Sequence, residues 1–254
     1  MIDIHSHVLP GIDDGAIDLE QSVQMCLQAA AAGCSAIVAT PHQRHSRWMN
    51  TDRDELEGLL SQIQDRVGSE IRLFLGAEIR IGAGLVSDLQ DISHTGLCPI
   101  AGSSYLLLEF PRHRLSFDPY ETIRSVRHAG WRPIVAHPEF VPGLAEDLSI
   151  AEGLVEAGAL LQLTAMSVTG DFGDRARSCV HKLLDRDLAH FISSDSHDTD
   201  WRQPGLKRAW ATVAARWGEE TAVRLTTDNP RAVVENQDIE PLLADRVESN
   251  LPTP

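Results

Sequence analysis

The sequence predicts an α/β protein built as a distorted parallel barrel, one unit short of the (β/α)8 plan. Seven short runs of apolar and β-branched residues recur along 254 residues, and a helical pattern follows each of them. Near-continuous hydrophobicity within a run is typical of parallel strands that are covered on both faces. A doubly wound open sheet is the alternative, but no run is followed by the glycine-rich loop of a nucleotide-binding sheet.

The predicted elements alternate along the chain. Strands are expected at residues 2–5, 35–40, 71–77, 104–109, 133–137, 159–164 and 190–194. Helices are expected at 17–32, 52–67, 83–92, 118–129, 149–157, 173–187, 203–217 and 218–226. Thr51-x-x-Asp54 and Asp118-Pro119 fit helix starts, and Asn229-Pro230 should stop the last helix. We expect a single domain over 1–238 and a flexible polar tail over 239–254.

Charge and cysteine usage restrict the class of protein. The formal net charge of −15 argues against a nucleic-acid surface, which needs a basic stripe. Four scattered cysteines without a CxxC pair indicate buried thiols in a reducing cytoplasm. The N-terminus lacks the pattern of a signal peptide, and no apolar run reaches the roughly 18 residues of a membrane span. We therefore expect a cytoplasmic protein without membrane insertion.

The first predicted strand ends in two histidines, in the stretch MIDIHSH. Side chains two positions apart on a strand point the same way, so His5 and His7 can aim at one point. Two converging imidazoles are half of a tetrahedral metal site. A chance pair of polar residues is the alternative, and the other strands decide between the two.

Six of the seven predicted strands end in a histidine or a carboxylate. In parallel barrels these ends converge on one face, where active sites lie. The residues in these positions are His5, His7, His42, Glu78, Glu109, His137, Glu139, Asp195 and His197. Buried together, such groups would stay unpaired or repel one another unless cations hold them. Imidazoles and carboxylates without cysteine suit Mn²⁺, Fe²⁺ or Zn²⁺, and nine ligands predict two or three ions, with Mn²⁺ preferred.

These motifs resemble the PHP (polymerase and histidinol phosphatase) superfamily. The matching stretches are MIDIHSH, GIDDGA, ATPH, GAE, LLLEF, AHPE, SSDSH and DNP, in order from Met1 to Pro230. Within the superfamily, the sequence is most similar to bacterial metal-dependent protein-tyrosine phosphatases of capsule and exopolysaccharide loci, and GIDDGA is the most specific stretch. The resemblance implies a TIM-barrel-like (β/α)7 fold and a phosphotyrosine-bearing partner, an autophosphorylating tyrosine kinase of polysaccharide export.

The resemblance also implies three metal positions. The first is formed by His5, His7, Glu78 and Asp195. The second shares Glu78 as a bridge and adds Glu109 and His137, and the third takes Asp14, His42 and His197. Asp13, beside Asp14, is expected in a turn or behind a ligand.

The expected chemistry is phosphoester hydrolysis by a metal-bridging hydroxide. Asp195, His197 and Arg202 form the expected catalytic set, in which Arg202 binds phosphate oxygens. The resemblance implies another phosphate-binding arginine after His-Pro-Glu, but this chain has Phe140 there. We hypothesise that Arg44 or Arg112 replaces it. Arginines in loops after strand ends predict a basic rim: Arg44, Arg47, Arg80, Arg112 and Arg114.

Three further roles are expected from the residue types. Glu139 could assist the leaving group as an acid. Trp48 is expected to pack, whereas Trp201, beside Arg202, is the tryptophan expected to contact substrate. His190 opens a predicted strand far from the catalytic face and is expected to be structural.

Other functions are weighed against this one. A cysteine-dependent phosphatase needs Cys-x5-Arg, but the residues six positions after the cysteines are Ala32, Thr40, Ser104 and Asp185. An amidohydrolase with a bridging carbamylated lysine is disfavoured, since neither lysine follows a strand. A small-molecule phosphatase of the histidinol-phosphatase type shares the same ligand set and stays open. A metal-bound regulatory module without turnover also stays open.

Overall fold

The structure is a computed structural model that describes residues 1–113 and 115–239. Its strands are β1 (Ile2–Ser6), β2 (Ala36–Ala39), β3 (His42–Gln43), β4 (Arg72–Leu75), β5 (Glu78–Arg80), β6 (Tyr105–Glu109), β7 (Arg132–Ala136), β8 (Leu160–Thr164) and β9 (Phe191–Ser193). Of the sequence predictions, Arg114 and the tail beyond Ile239 lie outside the described residues.

Helices follow the strands in the predicted order. They are α1 (Leu19–Ala31), α2 (Arg53–Val67), α3 (Leu85–Gln90), α4 (Ile92–Thr95), α5 (Pro119–His128), α6 (Ser149–Glu156), α7 (Ala165–Thr169), α8 (Asp174–Asp185), α9 (Lys207–Trp217), α10 (Glu219–Val223) and α11 (Asn229–Val234). Short 3-10 turns occupy Ile100–Gly102 and Pro138–Phe140. No helix within the described residues is long and apolar enough to cross a membrane.

All strand pairs are parallel, and they form two sheets. One sheet has the order β1-β2-β4 and the other β3-β5-β6-β7-β8-β9. The numbering ascends along both sheets, whereas a doubly wound sheet reverses its order. The predicted parallel α/β architecture is confirmed, but the hydrogen bonds divide the strands between two sheets and close no barrel among the described residues.

The two predicted strands 35–40 and 71–77 are each interrupted. Thr40 and Pro41 separate β2 from β3, and Gly76 and Ala77 separate β4 from β5. Proline lacks the N–H that a ladder needs, which accounts for the first break. At the second, a Cβ on Gly76 would lie 2.9 Å from Cγ1 of Val38, so only glycine fits. The short strands after the breaks carry His42 and Glu78 to the same end of the molecule.

The last strand leads the chain back to the first. The backbone N–H of Asp195 donates to the carbonyl of His5 over 2.9 Å, and the N–H of His7 donates to Ser196 over 2.9 Å. These bonds place the segment after β9 beside the end of β1. Both segments carry residues of the predicted metal site.

Both faces of the sheets are buried, as expected for parallel strands. In β6, Tyr105 and Leu107 belong to an inner cluster between the sheets, whereas Leu106 and Leu108 pack toward the helices. This alternation is the period of two that a strand imposes. The inner cluster fills the space beneath the carboxyl ends of the strands and supports the side chains described below.

The helix boundaries correct three predictions. Asp52, not Thr51, caps α2, and its side chain accepts the N–H of Glu55 over 3.1 Å. The Asp118 cap of α5 is confirmed, with its carboxylate 2.8 Å from the Tyr120 nitrogen. Asn229-Pro230 does not end the helical run: a π turn over Arg224–Asp228 leads directly into α11. Proline is tolerated there because it occupies the first turn of a helix. The predicted helix 83–92 is split into α3 and α4.

Candidate metal centre

A pocket of about 460 Å³ opens at the carboxyl ends of the strands. Its lining comprises Asp14, His42, His45, Trp48, Glu78, Arg80, Glu109, Arg112, His113, His137, Asp195, His197 and Arg202. The structure thus brings seven of the nine residues assigned to the three expected metal positions to one pocket wall. The other two, His5 and His7, are fully buried against the same carboxylates.

Glu78 lies at the centre of the cluster. Its Oε1 is 2.7 Å from Nε2 of His137, and its Oε2 is 2.9 Å from Nδ1 of His42. The same Oε2 is 3.5 Å from Nε2 of His7 and 3.6 Å from Nε2 of His5. One buried carboxylate therefore meets four imidazoles that come from three other strand ends. This is the position of the bridging ligand that the resemblance implies.

Asp195 forms the second junction. Its Oδ1 lies 3.3 Å from Nε2 of His5 and 3.6 Å from Nε2 of His7. Its Oδ2 accepts a hydrogen bond from Nη2 of Arg202 over 2.6 Å. Asp195 thus contacts both histidines of the first strand and also fixes the predicted phosphate-binding arginine.

The two aspartates of GIDDGA have different roles. Asp14 places Oδ1 3.3 Å from Nε2 of His42 and 3.4 Å from Nε2 of His197, and its side chain is 48% exposed. Asp13 instead accepts a hydrogen bond from Nδ1 of His7 over 2.9 Å. The loop packs so closely that a Cβ on Gly15 would lie 2.1 Å from the carbonyl oxygen of His7. The glycine of the motif is therefore required for close approach.

Glu109 and two other predicted ligands complete the arrangement. Glu109 lies within reach of His42 and Glu78, and its Oε2 accepts a hydrogen bond from Nη1 of Arg80 over 2.8 Å. His137 and Asp195 adopt left-handed backbone conformations, with φ of 34° and 52°. Each sits where its strand has just ended, and the turn directs the side chain into the cluster.

The donor set fits divalent cations. Three groups of ligand atoms lie within 4.8 Å of one another: His7, Asp14, His42 and His197; His5, His7 and Asp195; and His42, Glu78 and Glu109. Nδ1 of His42 is buried and makes no hydrogen bond within the described part of the chain, although it lies 2.9 Å from Glu78. Nitrogen and oxygen donors without thiolate suit Mn²⁺, Fe²⁺ or Zn²⁺. The residues present therefore fit the metal group that the sequence predicts.

The pKa shifts of the clustered side chains show that the site favours bound positive charge. Burial alone would lower the pKa of His7, but Asp13 outweighs it and raises that pKa to about 9. Burial likewise opposes protonation of His42, yet Glu78 and Asp14 raise its pKa to about 11. Burial would raise the pKa of Glu78, but the surrounding imidazoles hold it well below its ordinary value. Protons on the imidazoles are the charge that bound cations would replace.

One residue that the sequence analysis did not single out, Gln162, positions a predicted ligand, and one that it assigned another role, Trp48, lines the pocket. Gln162 of β8 accepts a hydrogen bond from Nδ1 of His5 over 2.8 Å, which leaves Nε2 of His5 facing Glu78 and Asp195. β8 corresponds to the one predicted strand of seven, 159–164, that ends without a histidine or carboxylate, and it contributes this neutral amide instead. Trp48, which the sequence analysis expects to pack, stacks on His42 and His45 and also lines the pocket. Trp201 is 62% exposed and lies outside the lining.

The two arginines proposed to replace the one absent at position 140 differ in placement. Arg112 lines the pocket, and its guanidinium lies 5.1 Å from the ring centre of Phe140. Arg44 does not line the pocket: its Nη2 donates to the carbonyl of Ala83 over 2.7 Å, and it pairs with Asp88. Its left-handed backbone and these contacts anchor a loop. The substrate role expected of Arg44 is therefore not supported by its position.

Phe140 has a positioning role of its own. Its ring packs edge-on against Phe172, with 5.9 Å between the centres. Arg112 lies over Phe140, and Arg202 lies 5.9 Å from the ring centre of Phe172. Arginine over an aromatic face is held by cation–π attraction. The phenylalanine pair thus separates and supports two pocket cations.

Glu139 is buried away from the pocket lining. Its Oε1 accepts the N–H of Thr164 over 3.0 Å, and burial raises the pKa of its carboxyl. The acid role expected of Glu139 is not supported by this placement. The structure positions it as a link between β8 and the turn after β7.

Fold and pocket together define a class: a parallel α/β protein with a histidine–carboxylate cluster for divalent cations at the carboxyl ends of its strands. The sequence matches the family model "Capsular polysaccharide synthesis, CpsB/CapC" over residues 1–235. The chain belongs to this family.

Curated relatives cover almost the whole chain. Tyrosine-protein phosphatase YwqE of Bacillus subtilis (strain 168) is 32% identical over 242 residues, covering 94% of this chain and 93% of the relative. The CapC protein of Staphylococcus aureus is 35% identical over 213 residues, covering 82% of this chain and 81% of the relative.

Solved structures agree with these relatives. A crystal structure from work on YwqE of Bacillus subtilis and CpsB of Streptococcus pneumoniae, described as metal-dependent tyrosine phosphatases, matches with a TM-score of 0.88 and 30% identity. The match covers 94% of this chain and 96% of that one. Histidinol phosphate phosphatase of Lactococcus lactis matches with a TM-score of 0.56 and 16% identity, covering 89% of this chain and 96% of that one, which shows a shared fold alone.

Proposed function

We propose that this protein is a metal-dependent phosphomonoesterase that hydrolyses phosphotyrosine on proteins. The observation that carries the proposal is the contact of Glu78 with four imidazoles in a pocket that also holds Arg112 and Arg202. A cation-binding cluster and two guanidinium groups in one pocket suit a phosphate dianion. The names of the relatives supply the phosphotyrosine substrate.

The nine predicted ligands are assigned to two or three divalent cations, with Mn²⁺ preferred over Fe²⁺ and Zn²⁺. His5, His7, Glu78 and Asp195 hold the first, and Glu78, Glu109 and His137 hold the second. Asp14, His42 and His197 hold the third. The contacts of Glu78 and Asp195 support the first two assignments, and the approach of Asp14 to His42 and His197 supports the third.

Divalent cations held by these residues would supply an activated water near neutral pH, because metal-bound water has a pKa of about 7. The chain itself binds and orients the phosphate. Arg202 is fixed at Asp195 through Nη2 and lines the pocket, which places its guanidinium beside the predicted metal ligands. Arg112 supplies a second guanidinium. Tyrosinate leaves readily because the phenol has a pKa of about 10.

Family membership supports a protein substrate in capsule synthesis. The partner is a phosphotyrosine-bearing tyrosine kinase of polysaccharide export. The catalytic unit is a single domain over 1–238, in which the two sheets form a distorted (β/α)7 barrel of PHP type. The ascending strand order and the hydrogen bond from Asp195 to His5 support this arrangement.

Metal analysis and phosphatase assays on one preparation test the proposal. Protein loaded with Mn²⁺ should hydrolyse a phosphotyrosine peptide faster than histidinol phosphate and lose activity on chelation. His5→Ala and Asp195→Ala should each lower kcat/KM by at least about 100-fold. Removing a residue that only positions a metal ligand already costs up to about 100-fold, so losing a ligand should cost at least as much. Melting curves check that both variants fold. Faster turnover of histidinol phosphate would favour a small-molecule phosphatase, and no turnover of either would favour a regulatory module.

A further inference from the structure

Trp48 stands apart from the rest of the pocket lining. Among the described residues that form this lining, the other twelve are histidines, carboxylates and arginines. Trp48 is the one side chain that offers a large uncharged aromatic face. Phosphate binding alone does not require an aromatic face. The indole is therefore better suited to contact the ester group that leaves than the phosphate itself.

The indole is fixed beside the metal centre. Its ring lies nearly parallel to that of His42, at an angle of 9° and with 5.3 Å between centres. It also stacks on His45, at 24° and 4.7 Å. His42 in turn contacts Glu78 and Asp14. The indole therefore stacks directly on one of the predicted metal ligands.

The loop that carries Trp48 is held at both ends. The backbone N–H of His45 donates to the carbonyl of Trp48 over 3.1 Å, and the N–H of Trp48 donates back over 3.2 Å. Arg44 and Asn50 bracket the loop in left-handed conformations. Asn50 donates from Nδ2 to the carbonyl of His42 over 3.0 Å. The indole is thus positioned before any substrate arrives.

We propose that Trp48, supported by His45, is the specificity-determining residue that selects phosphate esters of aromatic alcohols over those of aliphatic alcohols. The inference rests on the proposed function, because it names the recognition of the leaving group at that same site. A phosphate held at the cluster next to His42 carries its ester group along the pocket wall, where the indole lies. An aryl ring stacks on that face, whereas a serine methylene is too small to cover it.

The expected preference follows from the strength of aromatic pairing. Ring pairs contribute beyond simple burial by an amount that corresponds to about 3- to 10-fold in affinity. Trp48→Ala should therefore lower the ratio of kcat/KM for a phosphotyrosine peptide to that for a phosphoserine peptide of the same sequence by about 3- to 10-fold. Trp48→Phe, which keeps a ring, should retain most of the ratio.

A binding measurement tests the same point without turnover. Calorimetry on Mn²⁺-loaded protein would compare phenylphosphonate with methylphosphonate, two ligands that cannot be hydrolysed at an ester bond. Trp48→Ala should reduce the preference for the phenyl compound by about 3- to 10-fold. Met49→Ala is the matched control, because Met49 is the next residue in the loop, is 59% exposed and does not line the pocket.

The outcomes separate this inference from the proposed function. If wild-type protein hydrolyses phosphotyrosine but Trp48→Ala leaves both ratios unchanged, the inference is overturned. If Trp48→Ala lowers the affinity for phenylphosphonate and methylphosphonate equally, the inference is also overturned. Such a result would show that Trp48 acts only by holding His42 in place. If wild-type protein hydrolyses neither peptide, the proposed function fails, and a phosphonate preference that depends on Trp48 still supports aryl recognition.

Discussion

Gln162 holds His5 from the side opposite the metal centre. The amide oxygen of Gln162 lies 2.8 Å from Nδ1 of His5, whereas Nε2 of the same ring faces Asp195 at 3.3 Å. Gln162 is fully buried, and its Nε2 is itself fixed by the carbonyl of Leu163. The amide therefore keeps the proton on Nδ1 and leaves Nε2 available as a ligand.

Replacing Gln162 should weaken metal binding without removing a ligand. Gln162→Met leaves the N–H of His5 without an acceptor, and affinity for Mn²⁺ should fall about 10- to 100-fold. Gln162→Glu keeps an oxygen acceptor and should retain most of the affinity. Competition with a chelating dye measures both. Unchanged affinity in the methionine variant would show that His5 is oriented by other contacts.

Arg112 should contribute to phosphate binding. A charged hydrogen bond to phosphate contributes about 1.5–3 kcal/mol, so Arg112→Ala should lower kcat/KM for a phosphotyrosine peptide by about 10- to 100-fold. Arg72 provides a matched control, because it also stacks over a ring, 4.6 Å from the centre of Phe74, but lies at the amino end of β4. Arg72→Ala should leave kcat/KM unchanged. Equal effects of the two substitutions would remove Arg112 from the site.

Cations should stabilise the folded protein. Because the ligand groups come together only in the folded chain, a metal at 100 times its dissociation constant adds about 2.7 kcal/mol to the free energy of unfolding. For a chain of this size that corresponds to a rise in Tm of about 5–10 °C on adding Mn²⁺ to chelated protein. Asp195→Ala should show a smaller rise. A wild-type Tm that does not respond to metal would argue against the centre.

His190 should make stability depend on pH. Burial, aided by Arg224, lowers its pKa to about 4, and its Nδ1 accepts the N–H of Leu161 over 3.1 Å. The unfolded chain, with a histidine pKa of about 6.5, binds the proton first, so stability is lost as pH falls from about 6.5 to about 4. The loss amounts to about 3 kcal/mol.

The variant His190→Asn tests this prediction, because asparagine offers a hydrogen-bond acceptor to the N–H of Leu161 but has no side-chain group that titrates in this pH range. Urea unfolding of His190→Asn and of wild-type protein across pH 4–7 should show the steeper decline in the wild type. Metal-loaded protein is used for both, so that titration of the metal ligands cancels in the comparison. Parallel pH profiles would show that His190 does not carry the effect.

Most of the strands and the clustering of histidines and carboxylates at one face could be predicted because the signals are local. Apolar runs mark parallel strands, and a histidine or carboxylate at the end of a run points to the shared face, as with Glu78 and Asp195. The correction at the start of α2 depends on a single capping contact, that of Asp52, which an adjacent polar residue can supply equally well. The division into two sheets depends on strand breaks at Pro41 and Gly76. Whether these residues interrupt a strand depends on contacts with the neighbouring strand, which the sequence does not show.

The parts that could not be predicted depend on contacts between distant segments. A glutamine in the middle of β8 has no local signal that it meets His5, 157 positions earlier. Arg44 and Arg112 have the same sequence context, since both follow the end of a predicted strand. Only the tertiary structure shows that Arg44 binds the carbonyl of Ala83 and anchors a loop, whereas Arg112 lies over Phe140 and lines the pocket. The sequence predicts only that Trp48 packs. Its place in the pocket depends on the fold of its loop, which brings the indole onto His42.

The left-handed turns at His137 and Asp195 have a consequence for the protein without its cations. For residues other than glycine, this conformation costs about 1–2 kcal/mol each, so the backbone there has lower-energy alternatives. Chelation removes the restraint at these two points first. Amide hydrogen exchange should consequently speed up in the turns after β7 and β9 before it does so in the strands themselves, making this rim the least protected part of the apoprotein.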